Sequence, residues 1–125
     1  MDQDELNKLT NKIIGIAIEV HKTLGPGFDE KIYSNALDEE FNRARVRYNR
    51  ERIVDVKYKN KKIGEKRIDF LIEDELILEL KAVDGIGRLY LAQMISYLKA
   101  LDKRLGLILN FASGKLEIKR VVNKF

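Results

Sequence analysis

The sequence contains no cysteine and a single histidine, His21, which excludes disulfides, thiolate metal sites and any multi-histidine centre. Metal chemistry in this chain has to use oxygen ligands. The only proline, Pro26, lies between two glycines, so its place is a turn rather than the interior of an element. No hydrophobic run approaches membrane-spanning length, and the acidic start Met1-Asp2-Gln3-Asp4-Glu5 lacks the basic and then apolar pattern of a secretory signal. A cytoplasmic protein without membrane association is the expectation.

What is present suits one folded domain spanning residues 1–125. Hydrophobic residues make up 45% of the chain and charged residues 35%, enough apolar material for a core beneath a densely charged exterior. The net charge of +4 comes from 24 basic and 20 acidic residues, a balance that favours polyanions only weakly.

Apolar residues from Glu5 to Leu24 recur at helical spacing (Leu6, Leu9, Ile13, Ala17, Val20), describing one amphipathic face. Gly25-Pro26-Gly27 stops that helix. Asp29 is placed to cap a second one that ends near Arg45, with Ile32, Tyr33, Ala36, Leu37 and Phe41 along it. Alternation then predicts a strand within residues 46–58, a polar turn at Lys59-Asn60-Lys61-Lys62 and a strand over 63–72 with Ile68, Phe70 and Ile72 on one face. Residues 76–81 form a third strand, with Leu76, Leu78 and Leu80 on one face and Ile77, Glu79 and Lys81 on the other. A helix after Gly87, an apolar strand over 105–111 and an alternating strand over 115–122 complete the order α-α-β-β-β-α-β-β. The fold class is therefore α/β, a mixed sheet of five strands flanked by helices.

The chemistry-bearing pattern lies on the second and third strands. Glu79 and Lys81 project from one strand face, and if Ile72 opposes Leu76 across the loop Glu73-Asp74-Glu75, Asp69 opposes Glu79. Opposed side chains lie about 4.5–5.5 Å apart at Cβ, so two carboxylates converge and require neutralisation. A hard divalent cation supplies it, and an adjacent lysine can orient an attacking water or stabilise phosphoryl charge. An isolated Glu-x-Lys is common on solvated strands, and spacing alone does not decide between the two readings.

The segment Gly27-Phe28-Asp29-Glu30-Lys31-Ile32-Tyr33, directly after Glu19-Val20-His21-Lys22-Thr23-Leu24-Gly25-Pro26, resembles the GxxExxY family of the PD-(D/E)xK nuclease superfamily. The resemblance spans nearly the whole chain and implies a restriction-endonuclease-like core. By the same resemblance, Asp69 and Glu79 ligate Mg²⁺ or Mn²⁺ together with the Leu80 carbonyl, and Lys81 is the catalytic lysine; Ile68 stands where the superfamily proline falls. It further implies that Glu19 faces the site, and that Gln93 and Tyr97 match a Gln-x-x-x-Tyr helix motif of exonuclease-type members.

The implied activity is metal-dependent phosphodiester hydrolysis leaving a 5′-phosphate, with DNA the expected partner and RNA the second. Lys66, Arg67 and Arg88 are the nearest candidates for backbone contacts, while Arg43, Arg45, Arg47, Arg50 and Arg52 read equally well as phosphate contacts or as a solvated surface. Glu30 and Tyr33 either brace the first two helices or line the groove above the metal, and His21 is expected to be a packing or surface residue. The alternative is a non-catalytic nucleic-acid-binding or protein-interaction module that keeps the nuclease fold. At this size, partners or a homodimer are expected to supply further recognition.

Overall fold

The computed structural model describes residues 1–124, and its eight elements follow the anticipated order. Helices α1 (Gln3–Leu24) and α2 (Glu30–Arg43) precede strands β1 (Tyr48–Tyr58), β2 (Lys61–Ile72) and β3 (Leu76–Lys81). Helix α3 (Arg88–Leu101) then leads to β4 (Leu105–Asn110) and β5 (Glu117–Val122). Helix α1 begins at Gln3 because Asp2 and Glu5 form a capping box, each carboxylate accepting the other's backbone N–H, at 2.8 and 3.3 Å. Gly25 and Gly27 have φ of 70° and 113°, the backbone freedom that the turn between α1 and α2 requires. Asp29 caps α2 as anticipated, accepting from the Ile32 N–H at 3.2 Å.

The five strands form one sheet in sequential order, antiparallel throughout except for β3 and β4, which are parallel and joined by the α3 crossover. The turn between β1 and β2 is tighter than the polar stretch suggested. Only Lys59 and Asn60, both at positive φ, make it, and Lys61 already pairs with Tyr58.

Two apolar layers sandwich the sheet. On one face, Leu6, Ile13, Ala17, Tyr33, Leu37 and Phe41 of α1 and α2 pack on Phe70, Ile72, Leu78, Leu80 and Leu107. On the other, Met94, Tyr97 and Leu98 of α3 pack on Leu71, Ile77 and Ile108. No helix among the described residues is long and apolar enough to cross a membrane.

Strict alternation fails in β2. Phe70 and Ile72 lie in the α1/α2 layer, but Ile68, expected on their face, packs in the α3 layer with Leu71 and Val54. The break falls where Glu51 takes a φ of 56° and interrupts the β1–β2 ladder between Arg50↔Phe70 and Arg52↔Ile68. By that register Asp69 stands opposite the interruption. The two strands are re-aimed at the residue that carries the carboxylate, as strand irregularities commonly do beside functional sites.

Candidate active site

Strands β2 and β3 pair as Ile72↔Leu76, Leu71↔Ile77 and Phe70↔Leu78, the register that brings Asp69 against Glu79. The paired ladder stops there. At the next position the Asp69 side chain accepts from the Leu80 N–H, with its Oδ2 2.7 Å from the nitrogen. Asp69 is thus fixed to the main chain of the strand that carries Glu79 and Lys81.

Glu79 lies in the central strand and is only 7% exposed. Burial pushes its carboxyl up to about 9, aided by the charge of Asp69 and a hydrogen bond shared with it, and opposed by Lys81. The Glu79 Oε1 is buried with no hydrogen-bond partner among the described residues. A buried oxygen without a donor costs free energy unless something else satisfies it.

The neighbouring side chains come from α3 and from the first residue of α2. The Lys81 ammonium rests over the Tyr90 ring, 4.7 Å from its centroid, a cation–π contact that holds the lysine, which forms no ion pair among the described residues. Burial, followed by the charges of Glu79 and Asp69, raises the Tyr97 phenol. The charge of Glu30, which opens α2, also reaches Glu79 and raises it.

The segment after Lys81 is tied down by residues that the sequence pattern did not single out. Asn110, opposite Lys81 in the parallel ladder, is 2% exposed. Its amide donates to the Val83 carbonyl at 2.8 Å and to Glu117 at 2.9 Å, and its oxygen accepts the Val83 N–H at 3.1 Å. Glu117 also accepts from the Ile86 N–H at 3.2 Å. A buried amide and a carboxylate thus clamp the connection between the Glu79-x-Lys81 strand and α3. A buried asparagine at the end of an apolar run was the signal for this clamp.

Tyr33 and His21 brace the fold. The Tyr33 hydroxyl donates to the Gly25 carbonyl at 2.6 Å and accepts from the Phe28 N–H at 3.3 Å, while its ring stacks on Phe111 at 4.3 Å. Of the two roles open to this tyrosine, it fills the bracing one. His21 is buried, with Nε2 2.9 Å from the Ser113 carbonyl and 3.3 Å from that of Phe111. It ties the end of α1 to the β4–β5 connection.

The remaining expected residues divide. Gln93 and Tyr97, one helical turn apart on α3, both line a groove of about 900 Å³ between α3 and the β1–β2 hairpin, which Lys66 also lines. Arg67 is exposed on β2, and Arg88 is exposed at the start of α3.

Glu19, expected to face the site, is exposed and lines a groove between α1 and α2 with Thr23, Ala36 and Glu40. The buried stripe that ends in Ala17, Val20 and His21 sets α1's rotation and leaves Glu19 on the exposed side.

Three of the five clustered arginines are held by carboxylates. Arg43 pairs with Glu39, Arg47 with Glu73 and Arg50 with Asp38. Arg52 contacts Asn49.

Among the described residues no group of three or more His, Asp or Glu side chains is arranged to hold a metal ion. The side-chain oxygen donors brought together on β2 and β3 are those of Asp69 and Glu79.

Compared with known proteins, residues 7–121 match a family model described as the PD-(D/E)XK nuclease superfamily. No curated protein matches the chain. Among solved structures, the crystal structure of SSO0001 is similar, with a TM-score of 0.60 at 14% identity over 76% of this chain. The chain spans 50% of that protein's length, and at this identity the likeness is one of fold alone. The family match, by contrast, covers nearly every described residue and includes Asp69, Glu79 and Lys81 on the strands described above. The chain belongs to the PD-(D/E)XK nuclease superfamily.

Proposed function

We propose that the chain is a metal-dependent nuclease that hydrolyses phosphodiester bonds of DNA, with RNA the second substrate to test. The observation that carries this reading is the pairing of Asp69 with a buried Glu79 whose Oε1 has no hydrogen-bond partner among the described residues. Such a donor set, made only of oxygens, fits a hard divalent cation. Asp69, Glu79 and the Leu80 carbonyl would hold Mg²⁺ or Mn²⁺, which when bound neutralises the carboxylates, polarises the scissile phosphate and promotes deprotonation of water.

The chain's own residues do the rest. Lys81, on the strand face of Glu79 and steadied by Tyr90, orients the attacking water and donates to the charge that develops on the phosphoryl oxygens. Gln93 and Tyr97 present an amide and a phenol along one face of α3 to position the substrate strand. Lys66, Arg67 and Arg88 contact flanking phosphates. Glu30, rather than Glu19, is the helical carboxylate in this reading, and it adds to the negative field that a cation answers.

The test is cleavage by the purified protein of single- and double-stranded DNA and RNA, with Mg²⁺ or Mn²⁺. Asp69→Ala and Lys81→Ala are expected to lower the cleavage rate at least about a hundredfold, the scale on which single groups acting on developing charge operate. An Asp69→Ala protein as active as the wild type sinks the catalytic assignment. Nucleic-acid binding indifferent to metal and to Lys81→Ala, without cleavage, favours the non-catalytic module.

A further inference from the structure

The β1–β2 hairpin extends beyond the part of the sheet that the helices cover. Every residue from 55 to 67 is exposed, although the two strands stay paired up to the turn. A ribbon without a face against the core adds little to stability, so folding does not account for its length. Its charge does more. Residues 55–67 hold six of the 24 basic residues and two of the 20 acidic ones, so their net charge of +4 equals that of the whole chain and the remainder balances.

Both acidic residues of the ribbon, Asp55 and Glu65, are already paired with Lys62. Lys57, Lys61 and Lys66 form no ion pair among the described residues, and Lys59 lies over the Tyr58 ring at 5.5 Å. At the base of the ribbon runs the groove shared with α3. Arg52, Lys57, Lys66 and Lys99 line it, as does Tyr97, whose phenol feels the charges of Glu79 and Asp69.

We infer that the β1–β2 ribbon is the protein's grip on duplex DNA, with its lysines neutralising backbone phosphates beside the groove that Gln93 and Tyr97 line. A two-stranded ribbon is one of the two elements that the major groove of B-DNA admits. Cations on both strands of the ribbon suit the two phosphate walls of a duplex. Single-strand binders rely instead on successive aromatic platforms, and residues 55–67 contain one aromatic, Tyr58. The inference rests on the nuclease reading only for the cleavage of the bound duplex, and binding alone tests it.

The experiment is fluorescence anisotropy in EDTA across a salt series, using a short duplex and one of its strands, with melting curves to verify that each variant folds. The duplex is expected to bind more tightly than the strand. Lys57→Gln/Lys61→Gln/Lys66→Gln should weaken duplex binding at least about tenfold and lower the slope of log affinity against log salt by about 2–3. The control Lys8→Gln/Lys12→Gln/Lys22→Gln, which removes the same charge from α1, should leave that slope at the wild-type value.

Equal slopes for the two triple variants overturn the inference, as does a single strand bound as tightly as the duplex. So does a protein dimer that Tyr58→Ser/Ile63→Ser dissociates without change in DNA affinity, which would assign the ribbon to a second copy of the chain. Ribbon-dependent duplex binding without cleavage in Mg²⁺ or Mn²⁺ sinks only the catalytic reading. Cleavage with an unaltered slope sinks only this inference.

Discussion

A free glutamate is ionised at neutral pH, but burial and the neighbouring Asp69 push Glu79 up to about 9 in the metal-free fold. Its folded value lies above the ordinary value of 4.5, so the folded state holds a proton that the unfolded chain releases. That contribution to stability is fully present below about pH 4.5, falls as the pH rises, and is lost through about 9. In EDTA, Glu79→Gln should match the wild type near pH 4.5 and exceed its stability at pH 8 by on the order of 1–4 kcal/mol. Urea unfolding at a series of pH values measures the difference. A constant offset between the two proteins would show that Glu79 carries no such proton.

On the scale of elements, the decisive feature is the interruption of β1 and β2 at Glu51. A left-handed backbone costs a non-glycine residue about 1–2 kcal/mol, and here it accompanies the change of face between Ile68 and Phe70 at Asp69. Glu51→Gly should be at least as stable as the wild type, since its exposed ion pair with Lys31 contributes little. Glu51→Val, β-branched at positive φ, should lose about 1–2 kcal/mol. Denaturant midpoints check both, and equal loss in the two variants would mean that the ion pair rather than the backbone matters at Glu51.

The α3 crossover carries a second constraint. A Cβ at Gly106 would come within 2.4 Å of the Met94 sulfur, so glycine in this buried strand allows the helix bearing Gln93 and Tyr97 to sit close to the sheet.

For the whole molecule, a cation held by Asp69 and Glu79 as proposed would be linked to folding, because the unfolded chain does not hold the two carboxylates together. Mn²⁺ at about a hundred times its dissociation constant should stabilise the protein by about 2.7 kcal/mol. The gain should vanish in Asp69→Ala. Thermal denaturation with and without Mn²⁺ provides the check, and equal stabilisation of the two proteins would place the cation elsewhere. Charge is also organised on this scale, with the chain's net excess confined to the exposed ribbon and a balanced body around the carboxylates.

Local periodicity determined much of this protein. The 3.6- and 2-residue patterns supplied all eight elements in order, and loop length with alternation supplied the β2–β3 register that aligns Asp69 with Glu79. Those features depend on neighbours along the chain, and so they were legible in the sequence. The side on which Ile68 packs was not, because it changes beside a left-handed backbone angle in the neighbouring strand β1 that local alternation does not encode. Nor was the exposure of Glu19 in the groove between α1 and α2, which depends on how α1 rotates to bury its stripe. The same holds for the clamp made by Asn110 and Glu117 and for the seat of Lys81 on Tyr90. Pattern fixes which residues share a strand face; only packing in three dimensions decides which groups from distant segments meet there.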